Sequence, residues 1–204
     1  MIVAGAGGHA MELLDILISG GKTENLVFFD EINIREVFQD RFPIIHSAEE
    51  VKAHFQKDPF FILGTGNPQL RHQFYLRFTG LGGRLISVQG KGVAFSNFSS
   101  GAEEADIFNL CFIGANTQIG KGCLINTGAQ IHHEVKIGDF TEVNPGAVLL
   151  GKVEVGKFCS IGANATILPK VKIGNKVTVG AGSVVTQDVE DEVTVVGVPG
   201  VRIK

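Results

Sequence analysis

Residues 107–125 read Ile107-Phe108-Asn109-Leu110-Cys111-Phe112-Ile113-Gly114-Ala115-Asn116-Thr117-Gln118-Ile119-Gly120-Lys121-Gly122-Cys123-Leu124-Ile125, with an aliphatic residue at every sixth position. The period continues through Ile131, Ile137, Val143, Leu149, Val155, Ile161, Ile167, Ile173 and Val179 to Val185, fourteen aliphatics in succession. Four residues after each stands a small or β-branched residue, from Cys111 to Val189. An amphipathic helix repeats near 3.6 residues and a strand at 2, so a period of six marks neither. It marks a solenoid whose coil has three short flat sides, one hexad to a side. Residues eighteen apart then stack as neighbouring strands about 4.8 Å apart. Each coil buries its aliphatics only against the next, so stacking carries the stability.

Outward from the repeat the texture changes. Over residues 1–85, Ile2-Val3-Ala4, Leu26-Val27-Phe28-Phe29, Ile44-Ile45, Phe60-Phe61-Ile62-Leu63 and Arg84 to Val88 read as strands. Between them, residues 10–19 (Met11, Leu14 and Ile18 at helical spacing), Ala48 to Gln56 and residues 68–80 read as helices. Strands alternating with helices predict a parallel α/β sheet. Residues 86–106 are expected to form a transition, a degenerate first coil with an insertion around Glu103-Glu104. The β-helix is expected over 107–190 and a tail over 191–204, the repeat ending at Val189.

Of 204 residues, 44% are hydrophobic and 19% charged, which predicts a well-buried globular chain. A net charge of -3 provides no electrostatic footprint for nucleic acid. No run of eighteen apolar residues predicts a membrane span, and the first residues lack the basic segment of a signal peptide. Cys111, Cys123 and Cys159 all occupy the small inward position of the hexad, so they read as buried side chains of a reduced, cytoplasmic protein rather than nucleophiles or metal ligands.

Gly5-Ala6-Gly7-Gly8-His9-Ala10 fits G-x-G-x-x-G/A between a strand and a helix, and Asp30 follows the second strand where a ribose-binding acid is expected. Backbone N–H groups at such a helix start hold a pyrophosphate. The domain is short for a dinucleotide fold and suits a nucleoside diphosphate attached to another group. The alternative is a tight strand–helix turn with no ligand.

The two halves together resemble the bacterial nucleotide-sugar N-acetyltransferases, including 4-amino-sugar N-acetyltransferases and relatives classed as sialic acid O-acetyltransferases. The resemblance rests on Gly5 to His9, on Gly66-Asn67 with Arg71 after them, and on Asn126 to Glu134. Asn144-Pro145-Gly146-Ala147-Val148-Leu149 and Thr194 to Pro199 complete it. It implies a small Rossmann-like α/β domain followed by a left-handed parallel β-helix, acetyl-CoA as co-substrate, a nucleotide sugar as acceptor, and a homotrimer with sites between adjacent β-helices. It also implies that His133 is the general base, a task that suits an imidazole titrating near neutrality. Glu134 is placed to raise the basicity of His133, and Asn126 is a family position near the same site. His132 stands where relatives carry an acidic residue and competes for the role of base.

Counting one coil from His133 reaches Gly151, whose N–H is placed to stabilise an oxyanion. Acyl-CoA is expected in a groove running past Gly151 and Ala163 toward Gly180 and Ala181. Glu142 occupies the position at which many relatives carry a second histidine that contacts the acetyl donor. Gly7, Gly8, His9, Asp30, Glu31 and Gly66 are expected around the nucleotide sugar. His132-His133-Glu134 also has the composition of a metal site, but adjacent residues on a coil point apart, so no metal is expected. The expected reaction is direct attack by an amine on the thioester. Acetylation of a sugar hydroxyl and a non-catalytic nucleotide-binding scaffold are the alternatives.

Overall fold

The computed structural model describes residues 1–99 and 102–203. Residues 100 and 101 of the expected transition and residue 204 of the tail lie outside the described residues. The chain divides into two compact units, one of residues 1–66 and 70–88, the other of residues 67–69 and 89–204.

In the first unit, β1 (Ile2–Ala4), β2 (Val27–Phe29), β3 (Val37–Phe38), β4 (Phe42–Ile45), β5 (Phe60–Leu63) and β6 (Arg84–Leu85) form one sheet in the order β3-β4-β2-β1-β5-β6. All neighbours are parallel except β3 with β4. The helices are α1 (Gly8–Ser19), α2 (Ala48–Phe55) and α3 (Pro68–Gly80). Ser47 begins α2 with a capping box, exchanging bonds with Glu50. Phe78 packs against Phe29, Phe55, Phe61 and Phe74, with ring centroids 5.3 to 5.8 Å away. On α1 the buried stripe is Ala10, Leu13, Leu14, Ile16 and Leu17. Met11 and Ile18, which share the helical spacing of Leu14, are 45% and 47% exposed. The run of apolars around α1 is wider than the face the sheet covers, so spacing alone did not select which apolars face the sheet.

In the second unit the count of eighteen holds strand by strand, for example Ile107↔Ile125, Ile125↔Val143 and Val143↔Ile161. Three faces result. The first begins with Asp106–Ile107, the second with Ala94–Phe95 and the third with Gln118–Ile119. The edge after each face is numbered with that face, so residues 126–129 turn the first edge and residues 132–135 the second. At the third residue after each aliphatic from Ile107 to Val179 the backbone enters the left-handed region, as at Asn116, Glu134, Phe140, Lys152 and Phe158. The aliphatics form one continuous core from Ile107 to Val195.

Both ends differ from the reading of the sequence. Gln89 bridges Ile107 and Phe95 pairs with Ile113, so the eighteen-residue register reaches back through the expected transition to Gln89. At the other end Val189 bridges Ile173 and Val195 pairs with Val179, sixteen residues apart. Val189 is thus an aliphatic of the next side, two residues early, rather than the small residue of the Val185 hexad. The three cysteines are buried thiols. Each also does more than fill space: Cys111, Cys123 and Cys159 donate through Sγ to the carbonyls of Asn126, Gly138 and Gly174 at 3.1, 3.1 and 3.0 Å. Thr141 does the same through its hydroxyl to Gly156 at 2.8 Å. A small polar side chain at this position satisfies an edge carbonyl of the next coil.

Candidate active site

His133, Glu134 and Gly151 meet on the second edge. The His133 side chain is 59% exposed and its Nδ1 lies 3.2 Å from Glu134 Oε1. With Nδ1–H donating to the carboxylate, Nε2 is left as the acceptor. The His133 hydrogen bond, with Lys152 beyond it, holds the Glu134 carboxyl below the ordinary carboxylate range. The other Glu134 oxygen lies 3.5 Å from Lys152 Nζ. Nε2 faces Gly151: a β-carbon built on residue 151 would run into the imidazole, Nε2 first. The glycine is therefore the space in which the ring sits.

The Gly151 N–H differs from those of Lys121 and Lys157, its counterparts after the third face. At the same hexad position the N–H of Lys121 donates to Asp139 Oδ1 at 3.2 Å and that of Lys157 to Asn175 Oδ1 at 2.9 Å, each acceptor one coil on. One coil beyond Gly151 stands Pro169, which has no side-chain acceptor. Gly151 is buried, and among the described residues its N–H donates to no group. A buried backbone donor without a partner is rare in folded proteins.

Other expected residues are placed elsewhere. Asn126 turns the first edge, where its Oδ1 accepts the Thr127 N–H at 2.8 Å. Ala163, Gly180 and Ala181 lie on that same edge, and Glu142 on the first face, where its Oε2 is 3.4 Å from Ser160 Oγ. Within one chain the single groove expected from Gly151 through Ala163 to Ala181 is not formed. Gly151 and Ala163 are twelve residues apart, and only multiples of eighteen share an edge. His132 is set apart from His133 by the turn: its ring lies against Phe112 with centroids 5.6 Å apart. Lys152 went unnoticed in the sequence, although it stands one coil beyond Glu134 and the same count reaches it.

The first unit carries a cleft of about 340 Å³ where the strand order reverses between β1 and β5, at the carboxyl ends of the strands. Gly5, Gly7, Gly8, His9, Asp30 and Glu31 line it together with Gly64 and Thr65, and Gly66 does not. Gly5 and Gly64 permit this close approach, since a β-carbon on Gly5 would lie 2.9 Å from the Gly64 carbonyl oxygen. At Gly7 and Gly8 an added β-carbon would meet nothing, so the start of α1 opens on free space. Asp30 Oδ1 accepts the N–H groups of Ile32 and Asn33 and Oδ2 that of the Asn33 amide, which shapes the loop over the cleft. Burial works to raise the Asp30 carboxyl, but these bonds and Arg35 hold it below the ordinary range. Glu31 pairs with Arg77 at 2.6 Å. Beneath the cleft the fully buried Arg71 donates to the carbonyls of Leu63 and Thr65 at 3.0 and 2.8 Å, pinning the end of β5.

Burial, with the Arg71 charge behind it, lowers the His9 imidazole from 6.5 to about 4. His9 is therefore neutral at pH 7. Because the folded value lies below the unfolded one, this contribution to stability is complete above pH 6.5 and is lost as pH falls toward 4. The loss is on the order of 3 kcal/mol in full. Urea denaturation at pH 7 and pH 4.5 should show it, and His9→Gln should reduce the difference. An unchanged pH dependence in that variant would remove His9 as the cause.

Comparison with known families agrees with this division. Residues 1–78 match the PglD N-terminal domain, and residues 116–151 and 152–187 each match the bacterial transferase hexapeptide family of six repeats. The chain therefore carries a match to the PglD N-terminal domain ahead of two matches to the transferase hexapeptide repeats. This transferase is similar along its length to solved structures. The acetyltransferase domain of PglB from Neisseria gonorrhoeae FA1090 in complex with acetyl coenzyme A is 26% identical, covering 99% of this chain and 98% of that one at a TM-score of 0.88. A histidine-to-asparagine variant of perosamine N-acetyltransferase from Caulobacter crescentus, in complex with CoA and GDP-perosamine, is also 26% identical. It covers 100% of this chain and 96% of that one at a TM-score of 0.92. WeeI from Acinetobacter baumannii AYE shares the fold at 18% identity, covering 99% and 98% of the two chains at a TM-score of 0.73. Among the described residues no group of three or more His, Cys, Asp or Glu side chains is arranged to hold a metal ion, and no helix is long and apolar enough to cross a membrane.

Proposed function

We propose that this transferase moves acetyl from acetyl-CoA to the amine of a nucleotide-linked amino sugar, with His133 as general base. The observation that carries the reading is the buried, unpartnered N–H of Gly151 beside the free Nε2 of a histidine oriented by a carboxylate. The ligands of the similar structures support the same donor and acceptor classes.

In this reading the amine attacks the thioester carbonyl while its proton passes to His133 Nε2. The developing oxyanion is met by the Gly151 N–H. Collapse expels the CoA sulfur, which takes the proton back from the imidazolium, leaving amide and free thiol. The transfer is direct: Cys111, Cys123 and Cys159 are buried, and desolvation pushes the Cys159 thiol up to about 11. The first unit holds the nucleotide, its diphosphate at the open start of α1. A cytoplasmic setting suits three buried thiols and both substrates.

The active assembly is a homotrimer. The outward residues of the second face (Phe112, Gln130, Val148, Thr166 and Val184) carry no charge, and neither do residues 126–129, 144–147, 162–165 or 180–183 of the first edge. The third face instead presents Lys136, Glu154 and Lys172. Charge depletion marks the surface that a neighbouring copy covers, and a neighbour's first edge would bring Asn126 and Ala163 to His133. Val148→Asp is expected to convert the trimer to monomer in sedimentation and to abolish turnover. A monomeric wild type, or a trimeric and active variant, refutes the assembly.

The test of the activity is CoA release with UDP-, GDP- and dTDP-linked amino sugars beside their hydroxyl analogues. Amine-dependent release with intersecting initial-rate lines is expected. Preference for the hydroxyl analogue favours O-acetylation, nucleotide binding without CoA release with any acceptor favours a scaffold, and an acetyl-enzyme excludes direct attack.

A further inference from the structure

We propose that Lys152 is a positioning residue for the base: its ammonium pins Glu134, and Glu134 in turn holds the His133 ring over Gly151. The inference rests on His133 being the base. The contact follows from the coil itself. Glu134 and Lys152 are eighteen residues apart, so they occupy the same place in adjacent coils, and both adopt the left-handed backbone, with φ of 61° and 66°. Their side chains leave the second edge side by side. The Lys152 N–H donates to the His133 carbonyl at 2.9 Å, tying its backbone to the base. Its ammonium lies 3.5 Å from Glu134 Oε2, while Glu134 Oε1 lies 3.2 Å from His133 Nδ1. The three side chains form a line in which each carboxylate oxygen has its own partner.

The surroundings make Lys152 the cation that matters to this carboxylate. The coil before His133 offers Gly114, Ala115 and Asn116 at this edge, none titratable. The coil after it offers Leu150, Gly151 and Lys152, and the next Leu168, Pro169 and Lys170. His132 turns toward Phe112, and Lys136 is paired with Glu154 at 3.7 Å on the third face. Exposed ion pairs add little to stability; the role of this one is to limit where Glu134 points and to offset its charge. A carboxylate freed from Lys152 would sample other rotamers, and its full charge would favour the imidazolium. Base strength and ring position would then change together.

The experiment is the pH dependence of kcat/KM for Lys152→Met, Lys152→Arg, Glu134→Gln and the Lys152→Met/Glu134→Gln double variant, with melting curves to establish folding. Lys152→Met should lower kcat by about tenfold and move the acidic limb upward by about half a pH unit, with KM for acetyl-CoA unchanged. Lys152→Arg should restore both, and in the Glu134→Gln background Lys152→Met should have no further effect. An unmoved limb with kcat within twofold overturns the proposal. So does a rise in KM for acetyl-CoA that persists in the Glu134→Gln background, which would make Lys152 a substrate contact. Should Lys152→Met fail to fold, the Arg rescue and Glu134→Gln profiles still decide: an arginine variant with a displaced limb despite intact folding overturns it. Failure of the base reading itself is separate, because it appears as turnover retained in His133→Ala whatever residue 152 is.

Discussion

His133→Ala is expected to lower kcat by about 10²- to 10⁴-fold, the usual contribution of a general base, while KM for both substrates changes little. The side chain is more than half exposed, so its removal leaves no core cavity and the melting temperature should hold. His132→Ala is expected to retain turnover within a few-fold. The two histidines are adjacent in sequence but differ in environment. His133 Nδ1 faces a carboxylate and its Nε2 faces a buried glycine, whereas the His132 ring rests on Phe112. Steady-state kinetics of the two variants decides the matter, and the reverse outcome would transfer the base to His132.

Gly151→Ala should cost about 10²- to 10³-fold in kcat, comparable to loss of an oxyanion donor, with almost no loss of stability. The added methyl would collide with the His133 imidazole, the movable end of an exposed side chain, so the ring swings away and the fold survives. Gly156 provides the contrast. A β-carbon there would lie 2.6 Å from the Gly174 carbonyl carbon, which is backbone and cannot move aside. Gly156→Ala should therefore lower the melting temperature instead. Measuring kcat and melting temperature on both variants separates the effects. A Gly151→Ala enzyme that keeps its rate would show that the ring has no fixed working position.

The same counting explains how much of the site could be read in advance. Eighteen residues from His133 to Gly151 is a fact of one coil, and the register holds it strand by strand. Ala163 was assigned to the same groove although its offset of twelve places it on another edge. Glu142, Asn126 and Ala181 share that limit: their relation to His133 depends on how copies of the chain pack, which no intrachain period encodes. In the first unit the glycine turn was legible because only glycine permits the approach of Gly5 to Gly64. The choice of Gly64 over Gly66, and the engagement of Asp30 within its own loop, depended on side-chain bonds that spacing does not express.

By itself the sequence determined the β-helix, its core and the meeting of His133 with Gly151, because a period of six repeated without a gap leaves one way to stack. It equally determined that the cysteines are buried. Only the tertiary structure decided that the last coil is two residues short, that Met11 and Ile18 face outward, and that Lys152 reaches Glu134. These depend on which side chains meet across space, and a hydrophobic period records only which residues turn inward. The unpartnered N–H of Gly151 lies between the two: the count places the glycine, but its free donor is evident only in the structure, where the N–H groups of Lys121 and Lys157 reach Asp139 and Asn175 while Pro169 offers Gly151 no such acceptor.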